Sequence, residues 1–161
     1  MALNRNKKKK IIKKINNVAN KSLSIITANP SKITVNIINK LRKKAKINNI
    51  KIYVIRNTLL KKSLKKTIFS KLINIIKGPI LVGFSMKHPG SASRLFIKFN
   101  KKNINFKILN AIYEKKILNI HEIKDLANLP THIESITKFV ILLKEISLGK
   151  FIRVLQNITK K

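Results

Sequence analysis

The first 113 residues of this 161-residue chain contain no aspartate and no glutamate. All five carboxylates (Glu114, Glu122, Asp125, Glu134 and Glu145) come later. General acid–base pairs and most metal cages need carboxylates, so that stretch cannot supply them. Cysteine is absent, which removes disulfides and thiolate metal sites and fits a reducing compartment. There is no tryptophan, and the four glycines stand singly, so no glycine-rich phosphate loop can form. The longest aliphatic or aromatic run is five residues, Phe139 to Leu143, far short of the roughly 20 that span a bilayer. The basic opening MALNRNKKKKIIKKI is not followed by an apolar stretch of signal-peptide length. These absences predict a soluble cytoplasmic protein that is not an enzyme, with no cofactor, no metal, no membrane contact and no small-molecule substrate.

What is present is positive charge. The 113 acid-free residues hold 28 lysines and arginines, and the whole chain has a net charge of +32. The apolar fraction, 44%, is that of a globular protein, so the charge sits on something that folds. Such a domain repels itself unless a polyanion lies against it, and RNA or DNA rewards each neutralised phosphate by releasing counterions. Lysine, asparagine and isoleucine make up 81 of the residues, and all three have A/T-rich codons. An A/T-rich genome explains lysine in place of arginine. It does not explain the missing glutamate, whose codons are also A-rich.

Hydrophobic periodicity predicts strands alternating with helices. A basic helix fits 5–20, with Ile11, Ile12, Ile15, Val18 and Ala19 at helical spacing. A strand fits 22–28 and ends at Asn29-Pro30. A helix fits 34–47, with Val35, Ile38, Leu41 and Ala45 as its apolar stripe. The β-branched run 50–55 reads as a strand, followed by a helix through Lys66 capped by Asn57 or Thr58. A short helical piece near 68–75, a buried strand at 80–84, a helix from His88-Pro89-Gly90 to about 101 and a strand at 104–113 complete the pattern. The expected fold is α/β, a mixed sheet flanked by helices over residues 1–130. Pro130 marks a joint. Beyond it, Thr131 and Glu134 form a capping-box signal that opens a single C-terminal helix of about 27 residues, around 40 Å long, over 131–161.

Arg56-Asn57-Thr58 closes a strand and opens a helix. Backbone N–H groups, the helix dipole and a guanidinium converge there, which suits an anion. Lys61 and Lys62 lie one turn on, and Lys7, Lys8, Lys9 and Lys10 with Arg42, Lys43 and Lys44 are the other basic clusters. With few arginines and few aromatics, recognition is expected to use phosphates and shape more than base edges. Tyr53 reads as core, His88 as part of a structural turn, and His121 and His132 have no evident metal partner. In the C-terminal helix Ile136, Phe139, Val140, Leu143 and Ile146 recur twelve residues later as Leu148, Phe151, Ile152, Leu155 and Ile158. Each set has the spacing of a stripe that docks in a groove, and twelve residues carry the second about 18 Å along and about 120° around a straight helix. Gly149, between the sets, permits a bend that changes this rotation.

The segments VIRNTLLKKS (54–63) and GFSMKHPGSASRLFIKFNKKN (83–103) resemble the bacterial family of large-subunit ribosomal protein ten, the base of the ribosomal stalk. MALN at the start, ANLPT at 127–131 and LLKEISLGKFIRVL near the end follow the same order. The resemblance implies that the N-terminal domain binds the GTPase-associated region of large-subunit ribosomal RNA beside a neighbouring stalk-base ribosomal protein. It implies that the C-terminal helix carries acidic stalk-protein dimers, two for an arm of this length, which recruit translation factors. The chain departs from the family in its charge, since relatives carry some carboxylates in the RNA-binding domain. Generic DNA coating is the alternative, but it needs no two-unit apolar arm. A membrane-surface role would call for exposed tryptophan or phenylalanine on the basic helices.

Overall fold

The computed structural model describes residues 4–31, 33–65, 67–103 and 105–159, without the side chains at 147, 148, 150, 154 and 159. The chain divides into two compact units, Met1–Asn128 and Leu129–Lys161.

The first unit begins with α1 (Arg5–Lys21), which buries Ile15, Val18 and Ala19 on one side and leaves its lysines in solvent. Then come β1 (Ser24–Asn29), α2 (Val35–Ile47), β2 (Ile50–Val54), α3 (Asn57–Leu64), a 3₁₀ turn (Ser70–Asn74), β3 (Leu81–Ser85), α4 (Ser91–Asn100) and β4 (Lys107–Tyr113). The α/β layering is the one the alternation predicts. Val35, however, is 70% exposed, so the inner stripe of α2 reduces to Leu41 and Ala45, with Ile38 only half-buried. That helix stops at Asn48-Asn49, where Asn49 takes a left-handed φ of 55° that asparagine tolerates.

The sheet runs β2-β3-β1-β4, and every ladder in it is antiparallel where a mixed sheet was expected. The helical crossovers do join parallel strands, β1 to β2 through α2 and β3 to β4 through α4. Each crossover skips one position, and an antiparallel strand fills the gap, as in split βαβ units. The central strands β1 and β3 are therefore buried on both faces. One face carries α1, α3 and the 3₁₀ turn over Ile25, Val82, Phe84 and Ile112. The other carries α2 and α4 over Ile26, Leu81 and Ala111, with the rings of Phe96, Phe99 and Phe106 edge to face at 5.3 and 4.9 Å.

Two elements were not foreseen. A hairpin adds β5 (Lys116–Leu118) to the β4 edge, and α5 (Ile120–Asn128) follows it. The hairpin turn is Glu114-Lys115, both in the left-handed region at φ 48° and 63°. A two-residue turn needs that conformation to match strand twist, usually with Asn-Gly. Two expected boundaries, Lys66 and Ile104, lie outside the described residues.

The second unit is helical. The Thr131 hydroxyl accepts from the Glu134 N–H at 3.3 Å, and the Glu134 carboxylate accepts from the Thr131 N–H at 2.9 Å. This capping box opens α6 (His132–Lys144). The single α-helix expected here is instead interrupted by a π-helical turn (Glu145–Gly149) before α7 (Lys150–Thr159).

Candidate functional site

The basic residues nominated from the sequence fall on opposite faces of the sheet. On the α1/α3 face, Arg56 is the N-cap residue of α3, with its backbone extended at φ −60° and ψ 133°. Its carbonyl accepts the first helical hydrogen bonds, from Leu59 and Leu60, so its side chain stands at the positive end of the helix dipole. Arg56 and Lys14 line one recess of about 340 Å³, floored by Ile11, Ile15, Tyr53, Ile55 and Leu59. The hydrogen bond from Asn16 Nδ2 to the Ser63 carbonyl, 2.9 Å, ties α1 to α3 one turn further on. Lys7, Lys8, Lys9 and Lys10 extend along exposed α1, while Lys62 is exposed and Lys61 half-buried on α3. Arg42 and Lys43 are exposed on α2, which packs on the other face.

Neither residue predicted to cap α3 by its side chain does so. Asn57 Nδ2 instead donates to the Gly78 carbonyl at 2.8 Å, holding the loop before β3, and no side-chain cap is made at Arg56. No side-chain cap therefore covers the first turn of α3 beside the guanidinium, although the Leu59 and Leu60 N–H groups already donate to the Arg56 carbonyl. Tyr53 packs edge to face on Phe84 at 6.0 Å, and its half-buried ring also lines the recess. His88 Nδ1 accepts from the Gly90 N–H at 3.1 Å, and the Pro89 carbonyl accepts from Ser24 Oγ at 2.6 Å. The HPG turn is a structural joint between β3, β1 and α4.

A second basic surface joins Lys44, nominated with Arg42 and Lys43, to lysines the sequence pattern did not single out. Lys44, Lys98, Lys101 and Lys102 border a groove of about 400 Å³ between α2 and α4, floored by Ile47, Leu95 and Phe99. On the other side of α4, Arg94, Lys98, Lys101 and Lys124 line a recess of about 610 Å³ against α5. Lys98, Lys101 and Lys102 are dispersed among phenylalanines and asparagines, so no run of charge pointed to them. Among the described residues no group of three or more potential metal ligands comes together, and no helix is long and apolar enough to cross a membrane.

The arm presents its stripe openly. Ile136, Phe139, Val140, Leu143 and Ile146, and then Phe151, Ile152, Leu155 and Ile158, are each between 46% and 67% exposed. The side chain of Leu148 lies outside the described residues. Lys138, Lys144 and Arg153 are exposed on the same helices. Ile133, Ile141 and Leu142 are exposed as well, so α6 is apolar over more of its circumference than one stripe.

The family model described as ribosomal protein L10 matches residues 3–101. The chain belongs to the ribosomal protein L10 family. It is 45% identical to the large ribosomal subunit protein uL10 of Buchnera aphidicola subsp. Schizaphis graminum, over 100% of this chain and 98% of that protein. The uL10 of Wigglesworthia glossinidia brevipalpis is also 45% identical, over 95% of each chain. That of Shewanella sp. strain W3-18-1 is 38% identical over 96% of this chain and 93% of its own. Matches of this extent include the arm, which the family model does not reach. An L10 protein is a structural component of the large ribosomal subunit and not an enzyme. A protein of the large subunit is associated with the ribosome.

Proposed function

We propose that this L10 protein is the base of the ribosomal stalk: residues 1–130 bind large-subunit ribosomal RNA at its GTPase-associated region, and 131–161 anchor acidic stalk-protein dimers. The observation that carries the RNA half is the recess shared by Lys14 and Arg56 at the N-terminus of α3. No carboxylate lines it. A phosphate there meets a helix dipole, a guanidinium and an ammonium together, while the apolar floor gives an unstacked base or ribose a surface. Lys7 to Lys10, Lys61 and Lys62 extend the same face. Arg42 and Lys43 contact RNA only if a second segment passes behind the sheet. A neighbouring stalk-base protein shares the RNA site, and the assembly works in the cytoplasm.

The arm half rests on apolar side chains that a water-soluble helix has no reason to expose so regularly. Exposed lysines on the same helix favour an acidic partner at encounter.

The test is RNA affinity against salt, by fluorescence anisotropy on the full chain with a stalk-base RNA fragment. Replacing Lys14 and Arg56 together by glutamine should lower the slope of log K against log[salt] by about 2, one for each phosphate that is no longer neutralised. An unchanged slope, or duplex DNA competing equally at matched salt, would return the chain to generic nucleic-acid binding.

A further inference from the structure

The two apolar units of the arm repeat at twelve residues, which in an unbroken α-helix leaves their stripes about 120° apart. The π-helical turn at Glu145–Gly149 lies between them. A π turn bonds i to i+5 and so takes up one extra residue within an α-helix. Across it, twelve chain positions advance the helix as about eleven would. Eleven α-helical residues complete three turns with only about 20° to spare. Phe139 and Phe151, Val140 and Ile152, and Leu143 and Leu155 then fall on one side of the rod, about 17 Å apart along its axis.

A second observation agrees. Arg153 Nη2 pairs with Glu145 Oε1, eight positions away. In an unbroken α-helix those residues stand about 80° apart around the axis and about 12 Å along it. With the extra residue absorbed they are nearly in line, within reach of two long side chains. Gly149 makes the path available: a Cβ there would come within 3.1 Å of Glu145 Cγ. In a chain with only five carboxylates, one is committed to bridging this turn.

We propose that the Glu145–Gly149 turn rephases the arm, so that both apolar units form one surface on a single side of the rod and hold two acidic helical dimers side by side, touching each other. This rests on the docking reading above. The occupant follows from the matching chemistry of the two units, Phe repeating as Phe and Leu as Leu at corresponding positions, and from the exposed cations Lys138 and Lys144 on the same helix, which suit an acidic partner.

The experiment uses the full chain co-purified with the acidic stalk protein. Native mass spectrometry counts the dimers, and a short cross-linker reports whether they touch. Two variants separate phase from composition. Inserting one alanine between Gly149 and Lys150 turns the second unit by about 100° more. Deleting Ser147 removes the extra residue and lets an ordinary α-helix keep the native phase. Dimer-to-dimer cross-linking should fall about five-fold on insertion, because one dimer no longer sits at high local concentration beside the other. It should stay near wild type on deletion, with helix content matched by circular dichroism. Equal cross-linking on insertion, or its disappearance on deletion, overturns the proposal. Two dimers on the wild-type arm without any cross-link also overturn it and leave docking intact. A wild-type arm that binds no dimer overturns the docking reading, and the phasing proposal with it.

Discussion

Gly90 is where a single methyl group tests this structure most sharply. Its φ of −77° and ψ of −9° suit any residue, so backbone freedom does not explain the glycine. Room does. An added Cβ would lie 2.3 Å from the Leu126 carbonyl oxygen of α5. Carbon and carbonyl oxygen meet comfortably at about 3.3 Å, so α4 and α5 must part by about an ångström. The obstacle is backbone and cannot swing aside. Parting would also pull on the 2.7 Å hydrogen bond from Arg94 Nε to the Ala127 carbonyl and uncover Leu126 and Ala127. Overpacking costs about 1–3 kcal/mol, and an immovable neighbour puts Gly90→Ala near the upper end, about 3 kcal/mol. For a unit of this size that lowers the melting temperature by about 12 °C.

Gly78 is the control. It holds a left-handed φ of 73° with nothing within 4 Å of an added Cβ. Gly78→Ala therefore costs only its conformation, about 1 kcal/mol. Asparagine, which visits that region, should recover part of the deficit at 78 and be worse than alanine at 90. Thermal melts followed by circular dichroism read all four variants. If Gly90→Ala melted with the wild type, the close approach of α4 and α5 would be wrong.

Three further outcomes are expected. Asn57→Ala should lose about 1 kcal/mol through its bond to the Gly78 carbonyl, while Thr58→Ala, which caps nothing, stays within about 0.5 kcal/mol in urea titrations. Exchanging Glu114-Lys115 for Asn-Gly should stabilise the hairpin by about 1 kcal/mol by relieving two left-handed side chains. The Tyr113 phenol is held above its ordinary range chiefly by its hydrogen bond to Glu114, so the same exchange should lower it in an ultraviolet titration. Salt should act with opposite signs on folding and binding: screening raises the melting point of the free chain, yet the same addition weakens RNA affinity. A free chain indifferent to salt would mean that self-repulsion contributes little to its stability.

The sequence was legible where one helix or strand buries one face. The stripes of α1 and the β-branched run of β2 sufficed, and so did the Thr131/Glu134 capping box. The Glu114-Lys115 hairpin escaped because neither residue advertises a left-handed turn. A signal for α5 was present and unread: Asn119 stands three residues before Glu122, whose carboxylate accepts the Asn119 N–H at 2.7 Å. Strand direction escaped for a topological reason, since the helical crossovers say nothing about what fills the position they skip. The same gap divided the basic clusters, because Arg56 and Arg42 look alike in sequence until α1/α3 and α2 take opposite faces. At the arm, Gly149 marked the position of the irregularity, but a glycine alone does not distinguish a bend from a π turn.

The placement of the five carboxylates argues against drift alone as the source of the charge asymmetry. Glu134 closes the capping box of α6, and Glu122 satisfies a backbone donor ahead of α5. Glu145 pairs with Arg153 across the π turn, and Glu114 sits in the hairpin turn, where it raises the pKa of the neighbouring Tyr113 phenol. Only Asp125, exposed near the end of α5, has no visible local task. Codon drift would remove acids without regard to position. Here three of the five acids are committed to a backbone cap or an ion pair, and none lines the recess that holds Lys14 and Arg56. On the proposed RNA reading a carboxylate there would repel the bound phosphates, whereas one at a helix start stabilises the fold without facing them. Introducing glutamate at Lys14 should therefore cost far more RNA affinity than introducing it at Lys138 on the arm, although both exchanges alter net charge equally.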